Sequence, residues 1–338
     1  MLTTKQTVLR RFWYAVMPLS DLAGGPKPFR LMGEDIVLFL DEEGRPAALK
    51  DRCVHRTARL SKGWCDKGQL VCGYHGWTYD RTGRVTKIPQ FAEGREPGRM
   101  GTPAYLCEAR YGYAWVCLDD APLAPIHDIP EETDPAFRRI PQFHHVWETA
   151  PLRLMENSFD NAHFSFVHRA TFGQQAQPKP EKYEITETPE GFVAETIVPI
   201  ANPPAAHRIT GSTEPTTRRE MRNFWWMPFS RRMDMHYPSG IRHIILNCAT
   251  PIEDGRIQLV QWLYRNDTEA DCPAELLIEW DRRITSEDKE ILEATDCDAP
   301  LDQSGGAEMN MPSDKPGLIM RRRLLDLLTA HGEAEIRR

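Results

Sequence analysis

Two short pairs of metal-ligand residues constrain this chain more than anything else in it. Cys53-Val54-His55 and Cys72-Gly73-Tyr74-His75 stand with residues 56–71 between them. Each pair offers one thiolate and one imidazole from a tight loop, and Gly73 and Gly76 allow backbone amides to approach without a Cβ in the way. Two thiolates can hold one iron and two imidazoles a second. The neutral ring nitrogens leave such a cluster less negative than an all-thiolate one, which raises its potential. The same four residues could also build a structural zinc site. Zinc loops, however, usually separate paired ligands by two or more residues, and Cys53 and His55 have one between them. Trp77 directly follows the second loop, placed either to shield a cluster from water or to fill the core.

The surrounding text predicts strands. From Phe12 to Leu118 short apolar runs are cut by turns: Asp35 to Leu40 reads as a strand, Asp41-Glu42-Glu43-Gly44 as a hairpin turn, and Pro46 to Lys50 as the return. A length of 338 residues suits two domains. Ala121 to Pro141, with five prolines, reads as the crossing between them. The expected division is 1–120 for the first domain, 121–141 for the crossing and 142–338 for the second. In the second domain a helix is expected from about Leu152 to Phe166, then strands at Phe192 to Val198, Arg222 to Met227, His243 to Cys248 and Ile257 to Tyr264. Helices at about Pro273 to Thr295 and Gly317 to His331 follow. The fold class is therefore α+β, with an all-β first domain and a second domain of antiparallel sheet and packed helices.

A second constellation lies on the first of those helices. Asp160 and His163 are three apart and share a helix face. His168 lies five beyond His163, ~140° away on a regular helix. If both imidazoles bind one metal, the helix must end, unwind or bulge near Phe166. Two imidazoles need an anionic third ligand to form the facial triad that leaves ferrous iron open to O2. Asp288 stands out among the acids: on a helix it falls in the stripe of Ile284, Ile291, Leu292 and Thr295, whereas Glu287, Glu290 and Glu293 fall on the flanks or back. A carboxylate in that stripe is buried and needs a partner, either a metal or an arginine such as Arg282 or Arg283.

Other classes are excluded or disfavoured. The net charge is −7 and no long lysine-arginine block is present, which argues against nucleic acid. No run approaches the length of a membrane span, and residues 1–11 lack a secretory signal, so a soluble, cytoplasmic protein without a membrane partner is expected. The six cysteines outside the two pairs have no ligand-like spacing and read as free thiols. Neither a dinucleotide nor a nucleoside triphosphate fingerprint occurs.

Together these motifs resemble the oxygenase components of Rieske non-heme iron oxygenases, over Phe12 to about Leu328. The residues that carry the likeness are Cys53/His55 and Cys72/His75, the Asn157-x-x-Asp160-x-x-His163-x4-His168 run, and Glu287-Asp288-Lys289-x-x-x-Glu293. The group with one kind of subunit is nearest, including vanillate and dicamba O-demethylases, methylxanthine N-demethylases and saxitoxin-biosynthesis hydroxylases. The resemblance implies an N-terminal Rieske [2Fe–2S] domain and a helix-grip-like catalytic domain with one mononuclear Fe(II). It makes His163, His168 and Asp288 the iron ligands. It gives Asp160 the role of bridge between His163 and His75 of a neighbouring subunit in a head-to-tail homotrimer, and places Asn157 near the iron. It implies O2 as co-substrate and NAD(P)H used indirectly, through a separate reductase or ferredoxin carrying flavin. The expected reaction is hydroxylation or oxidative demethylation of a small aromatic or heterocyclic substrate. The alternatives are cis-dihydroxylation of an arene and, more remotely, a zinc-stapled binding protein without catalysis.

For the substrate pocket the chain offers Phe224, Trp225, Trp226, Phe229, Tyr237, Trp262 and Trp280. His243 and Asn247 would point to the same side of one strand. They are the candidate anchors, with Asn223, Trp226 and Phe166 as further candidates. Arg218, Arg219 and Arg222 could pair with a substrate carboxylate or sulfonate, although surface placement is the default. The run Arg321-Arg322-Arg323 reads as a solvated helix face or a dock for an acidic carrier.

Overall fold

The computed structural model describes residues 1–338, which form two compact units, Leu9–His127 and Met1–Val8 with Asp128–Arg338. The first unit contains β1 (Tyr14–Pro18), α1 (Leu19–Leu22), β2 (Lys27–Leu31), β3 (Glu34–Leu40), β4 (Pro46–Lys50), β5 (Trp64–Asp66), β6 (Gln69–Val71), β7 (Thr78–Tyr79), β8 (Val85–Lys87), β9 (Ala104–Arg110) and β10 (Tyr113–Cys117). Six strands form an antiparallel sheet in the order β1-β10-β9-β4-β3-β2, and β5 to β8 form a smaller meander. One core serves both sheets: Val37, Phe39, Ala47 and Leu49 of β3 and β4 are buried in one cluster with Leu70 and Tyr79 of the meander. Cys53 and Cys72 belong to that cluster, so each ligand loop is rooted in the core by its sulfur.

The second unit contains β11 (Arg138–Trp147), α2 (Pro151–Ser158), α3 (Phe164–Val167), β12 (Glu184–Thr188), β13 (Gly191–Ala201), α4 (His207–Thr210), β14 (Thr216–Trp226), β15 (Ser230–His236), β16 (Arg242–Glu253), β17 (Arg256–Arg265), α5 (Ala274–Leu292) and α6 (Lys315–Ala330). Its seven strands form one antiparallel sheet, in the order β11-β17-β16-β15-β14-β13-β12. Leu277 and Trp280 of α5 are buried with Met221, Met235, Ile245 and Leu263 of the sheet, so the long helix covers one face. Alternation fixes what that face carries. On β14 Arg219, Met221, Asn223 and Trp225 are buried, whereas Arg218, Glu220 and Arg222 are exposed.

Two expectations are revised. The helix expected to run from Leu152 to Phe166 is two helices: it breaks at Phe159, and the second helix ends at Val167, next to Phe166 as the histidine spacing requires. Pro151 opens α2 in its first turn, where a missing N–H costs nothing. The Ser158 hydroxyl donates back to the Leu154 carbonyl at 2.7 Å, and Asp160 Oδ1 accepts the Ala162 N–H at 2.7 Å, turning the chain out of the helix. The proline-rich stretch also holds an element, because β11 begins at Arg138. Pro141 is accommodated there at a register shift on the edge strand, where a missing ladder donor is tolerated.

Candidate metal centres and active-site cavity

The two ligand loops of the first unit share one backbone design. The Cys53 carbonyl accepts the Thr57 N–H at 2.9 Å, and the Cys72 carbonyl accepts the Gly76 N–H at 3.0 Å. The Cys53 N–H donates to Ala58 and the Cys72 N–H to Trp77, each at 2.8 Å. Both loops close through a left-handed residue, Thr57 at φ 56° and Gly76 at φ 74°. The thiols are buried and the imidazoles half-buried, with the rings of His55 and His75 4.5 Å apart between centroids. Trp77 stacks on His55 at 4.7 Å and 6°, so it covers a ligand ring.

These residues fit a two-iron cluster. Burial, together with the adjacent His75 and Arg56, lowers the pKa of His55, in the direction of the neutral ring that metal ligation needs. Its Nδ1 is buried with no protein partner. The Tyr79 hydroxyl accepts the Val54 N–H and lies 3.1 Å from Cys53 Sγ. Burial raises the pKa of that phenol, so it retains a proton to donate to sulfur. A single zinc ion would draw its donors to within ~4 Å of one another. His163, His168 and Asp288 form such a single-ion group, and the two Cys/His pairs do not.

In the second unit the end of α3 at Val167 solves the spacing of the two histidines. His163 opens α3 and His168 ends it, which brings their Nε2 atoms to 3.2 Å. Asp288 Oδ1, from α5, stands 3.4 Å from the first of these nitrogens and 3.3 Å from the second. Donors at right angles, ~2.1 Å from one ion, stand ~3 Å from each other, so the triangle matches one face of a coordination octahedron. Burial would raise the Asp288 pKa, but the His168 and His163 rings and the Asn157 amide, 3.0 Å away, lower it. Each imidazole is also gripped from behind. His163 Nδ1 lies 3.3 Å from Asp160 and His168 Nδ1 lies 2.9 Å from Glu287, which also accepts the Thr171 hydroxyl at 2.9 Å. Glu287 therefore joins the site, although helix periodicity put it on a flank. Arg282 and Arg283 do not pair with Asp288; Arg283 bonds the Ala170 carbonyl.

Family comparison decides what this pair of sites belongs to. The Rieske [2Fe-2S] domain family matches residues 12–105, and the vanillate O-demethylase oxygenase C-terminal domain family matches residues 147–330, more than half of the chain. The chain belongs to the Rieske non-heme iron oxygenases. Methylxanthine N1-demethylase NdmA of Pseudomonas putida is 28% identical to this oxygenase over 345 residues, 96% of this chain and 91% of its own. The vanillate O-demethylase oxygenase subunit of Pseudomonas sp. strain HR199 is 33% identical over 48% of this chain and 46% of its own. The solved structure of NdmA superposes with a TM-score of 0.81 at 25% identity, covering 98% and 94% of the two chains. Dicamba monooxygenase bound to dicamba shares the fold, with a TM-score of 0.82 at 22% identity over 96% and 98%. The oxygenase accordingly carries a [2Fe–2S] cluster and a mononuclear non-heme iron, is a monooxygenase of the demethylase type, and relies on a separate reductase or ferredoxin. None of its helices is long and apolar enough to cross a membrane.

A cavity of about 100 Å³ opens beside the triad, between the sheet and α5. An apolar cavity of ~150 Å³ holds benzene, so this smaller space encloses no more than about one small ring. His243 and Asn247 line it, as alternation on β16 requires. Asn223, Trp226 and Phe166 do not. Asn223 is buried one layer behind, accepting Arg231 at 3.0 Å. Trp226 lies beside Phe224 on the other face of β14. Phe166 is 52% exposed, because the helix break re-phases α3 and turns that ring outward. Of the other aromatics singled out in the sequence, only Tyr237 and Trp280 reach the cavity, where they are joined by Trp147, Phe164 and Phe172. Arg219 overturns its expected surface placement, whereas Arg218 and Arg222 keep theirs and pair with Glu220 and Glu195. The run at 321–323 is not an open patch: Arg321 is buried against Glu156 and Glu308, and Arg322 and Arg323 pair with Glu187.

Proposed function

We propose that this oxygenase hydroxylates or oxidatively demethylates a small ring compound in the cytoplasm, with Cys53, His55, Cys72 and His75 holding the cluster and His163, His168 and Asp288 holding the iron. The observation that carries the reading is the triangle of three donor atoms, 3.2 to 3.4 Å on a side, opening on a cavity. When bound, the two centres supply stored electrons and O2 activation for attack on a C–H bond. On a methyl carried by oxygen or nitrogen, the hydroxylated product loses formaldehyde.

The chain's own residues orient and connect. Asp160 and Glu287 fix the tautomers of His163 and His168, so that Nε2 of each ring faces the metal. Asn157 donates to Asp288 Oδ1, limiting how that carboxylate swings. The second Asp160 contact, to His75 of a neighbouring subunit, requires the head-to-tail trimer. Two surfaces support that assembly. Val54 and Tyr74 on the ligand loops are 42% and 65% exposed. On the second unit, exposed Ile291 and Met309 flank a groove of about 330 Å³ that is lined by Asp160 and His163.

Iron and acid-labile sulfide are to be counted on anaerobically purified protein, with a visible spectrum of the same sample. About three irons and two sulfides per chain, with colour bleached by dithionite, are expected for one two-iron cluster and one mononuclear site. Zinc without sulfide, persisting after reconstitution with iron and sulfide, would sink the reading.

A further inference from the structure

A cavity in which O2 is activated exposes its own walls to oxidation. A thioether is among the groups most easily oxygenated, because sulfur offers a lone pair and a sulfoxide forms without breaking a C–H bond. Met221, Met233 and Met235 line the cavity beside the triad, and no cysteine does. Strand register makes the three a single patch. Met221 of β14 and Met235 of β15 are directly opposite, and Met233 lies two residues from Met235 on the same face. The buried Met155 and Met320 of the same unit lie outside the cavity, and Met309 and Met311 are exposed to solvent.

Met233 differs from its two neighbours. Met221 and Met235 are buried in the apolar core between the sheet and α5, whereas Met233 is only partly buried at its margin. Arg231, on the same face of β15, donates to the Met233 sulfur at 2.8 Å and to the Asn223 oxygen at 3.0 Å. The Asp288 charge acts on the same guanidinium, which links the Met233 sulfur to a proposed iron donor through one side chain. A thioether is a weak acceptor, and a sulfoxide oxygen is a strong one. Oxygenation of Met233 would therefore exchange a weak bond from Arg231 for a stronger, charge-assisted one. At Met221 or Met235 it would bury a new polar oxygen among apolar side chains.

We infer that Met233 is an oxygen-atom acceptor built into the cavity wall, converted to methionine sulfoxide when O2 is reduced there with no substrate in place. This rests on the oxygenase reading, since the oxygen comes from the chemistry of that site. One atom of O2 forms the S–O bond, using a sulfur lone pair. The O–O bond breaks, and the other atom takes up two protons and leaves as water. Sulfur supplies two of the electrons that reduce O2, and the partner reductase supplies the other two, as it does for substrate hydroxylation. The wall beside the triad becomes polar, so an oxidised subunit binds apolar rings less well and keeps a chemical record of idle turnover.

Heavy-isotope dioxygen, 18O2, tests this on the metal-loaded protein. The protein is reduced anaerobically with dithionite, freed of excess reductant and opened to 18O2 without organic substrate, with catalase present to destroy peroxide. A reduced cluster and a ferrous ion together hold the two electrons needed, and repeated cycles accumulate product. Peptide mass spectrometry then reads each methionine. A gain of about 18 Da, one 18O atom, is expected at Met233, with Met155, Met309, Met311 and Met320 unlabelled. Asp288→Ala, which removes an iron donor and leaves the cluster, should abolish that label. Label absent from Met233, placed at Met221 or Met235 instead, confined to Met309 and Met311, or persisting at Met233 in Asp288→Ala overturns the inference. The unaltered protein decides even if the variant does not fold. Full iron and sulfide with no label at Met233 removes the acceptor and leaves the oxygenase standing. Absent iron and sulfide removes the oxygenase reading itself.

Discussion

The Glu287 carboxylate holds Nδ1 of His168 at 2.9 Å, and its sequence neighbour Asp288 approaches Nε2 of the same ring at 3.3 Å. Two adjacent residues of one helix thus address opposite ends of one imidazole. The orientation of the ring and the placing of the anionic donor are set by a single turn of α5. Glu287→Ala should lower affinity for the mononuclear iron by ~10–100-fold, the usual cost of losing such an outer partner. Iron per chain after graded chelation, with the cluster spectrum as internal reference, checks this. Retention equal to wild type would remove Glu287 from the site.

Asp160→Asn keeps the shape of the Asx turn but removes the charge behind His163 Nδ1. Most of the mononuclear iron should remain, while substrate turnover falls by ~10²-fold or more. Metal analysis beside steady-state rates gives the answer. Rates near wild type would eliminate the bridging role.

Gly173 lies against the carbonyl end of α3, its N–H donating to His168 at 2.8 Å. A Cβ there would stand 2.1 Å from the Phe164 carbonyl oxygen, so the backbone bearing His168 would have to move. Gly173→Ala should cost ~1–3 kcal/mol of stability and loosen the iron. Thermal denaturation with and without metal measures both effects.

Acid should weaken the second unit through Glu131. Burial alone would raise that carboxyl above its ordinary 4.5, but two 2.8 Å bonds from Arg232 and the charge of Arg242 lower it. A lowered folded-state pKa means that the stabilisation is complete above about 4.5 and is lost as pH falls through the lower, folded value. Glu131→Gln should reduce stability at neutral pH by ~3 kcal/mol, softened by Asp234, which stays within 3.2 Å of Arg232. It should also flatten the acid limb of a plot of Tm against pH. A limb as steep as wild type would assign acid sensitivity elsewhere.

Much of the site was legible because its signals are local. Cys53, His55, Cys72 and His75 stand out by spacing, and Asp288 by its place in an apolar stripe. What escaped depends on longer-range geometry. Glu287 was put on a flank because helical phase gives the direction of Cα–Cβ, not the reach of a long side chain. Phe166 was misplaced because the break at Phe159 resets the phase of everything after it. Arg219 was hidden among arginines: its inward turn follows from strand alternation, but Arg218 and Arg222 beside it made the segment look like ordinary surface.

His168 and Glu287 are separated by 119 residues of sequence, and the same two segments carry the proposed iron donors. A bound ion is therefore a cross-link as well as a reaction centre, closing a long loop of chain that otherwise relies on packing. Chelation should first be felt as faster amide exchange along residues 159–173, where the short α3 has little of its own to hold it, while the strands beneath remain protected. The mononuclear centre then doubles as a gauge of integrity, since a subunit that has lost its ion also loses the order needed to seat a substrate.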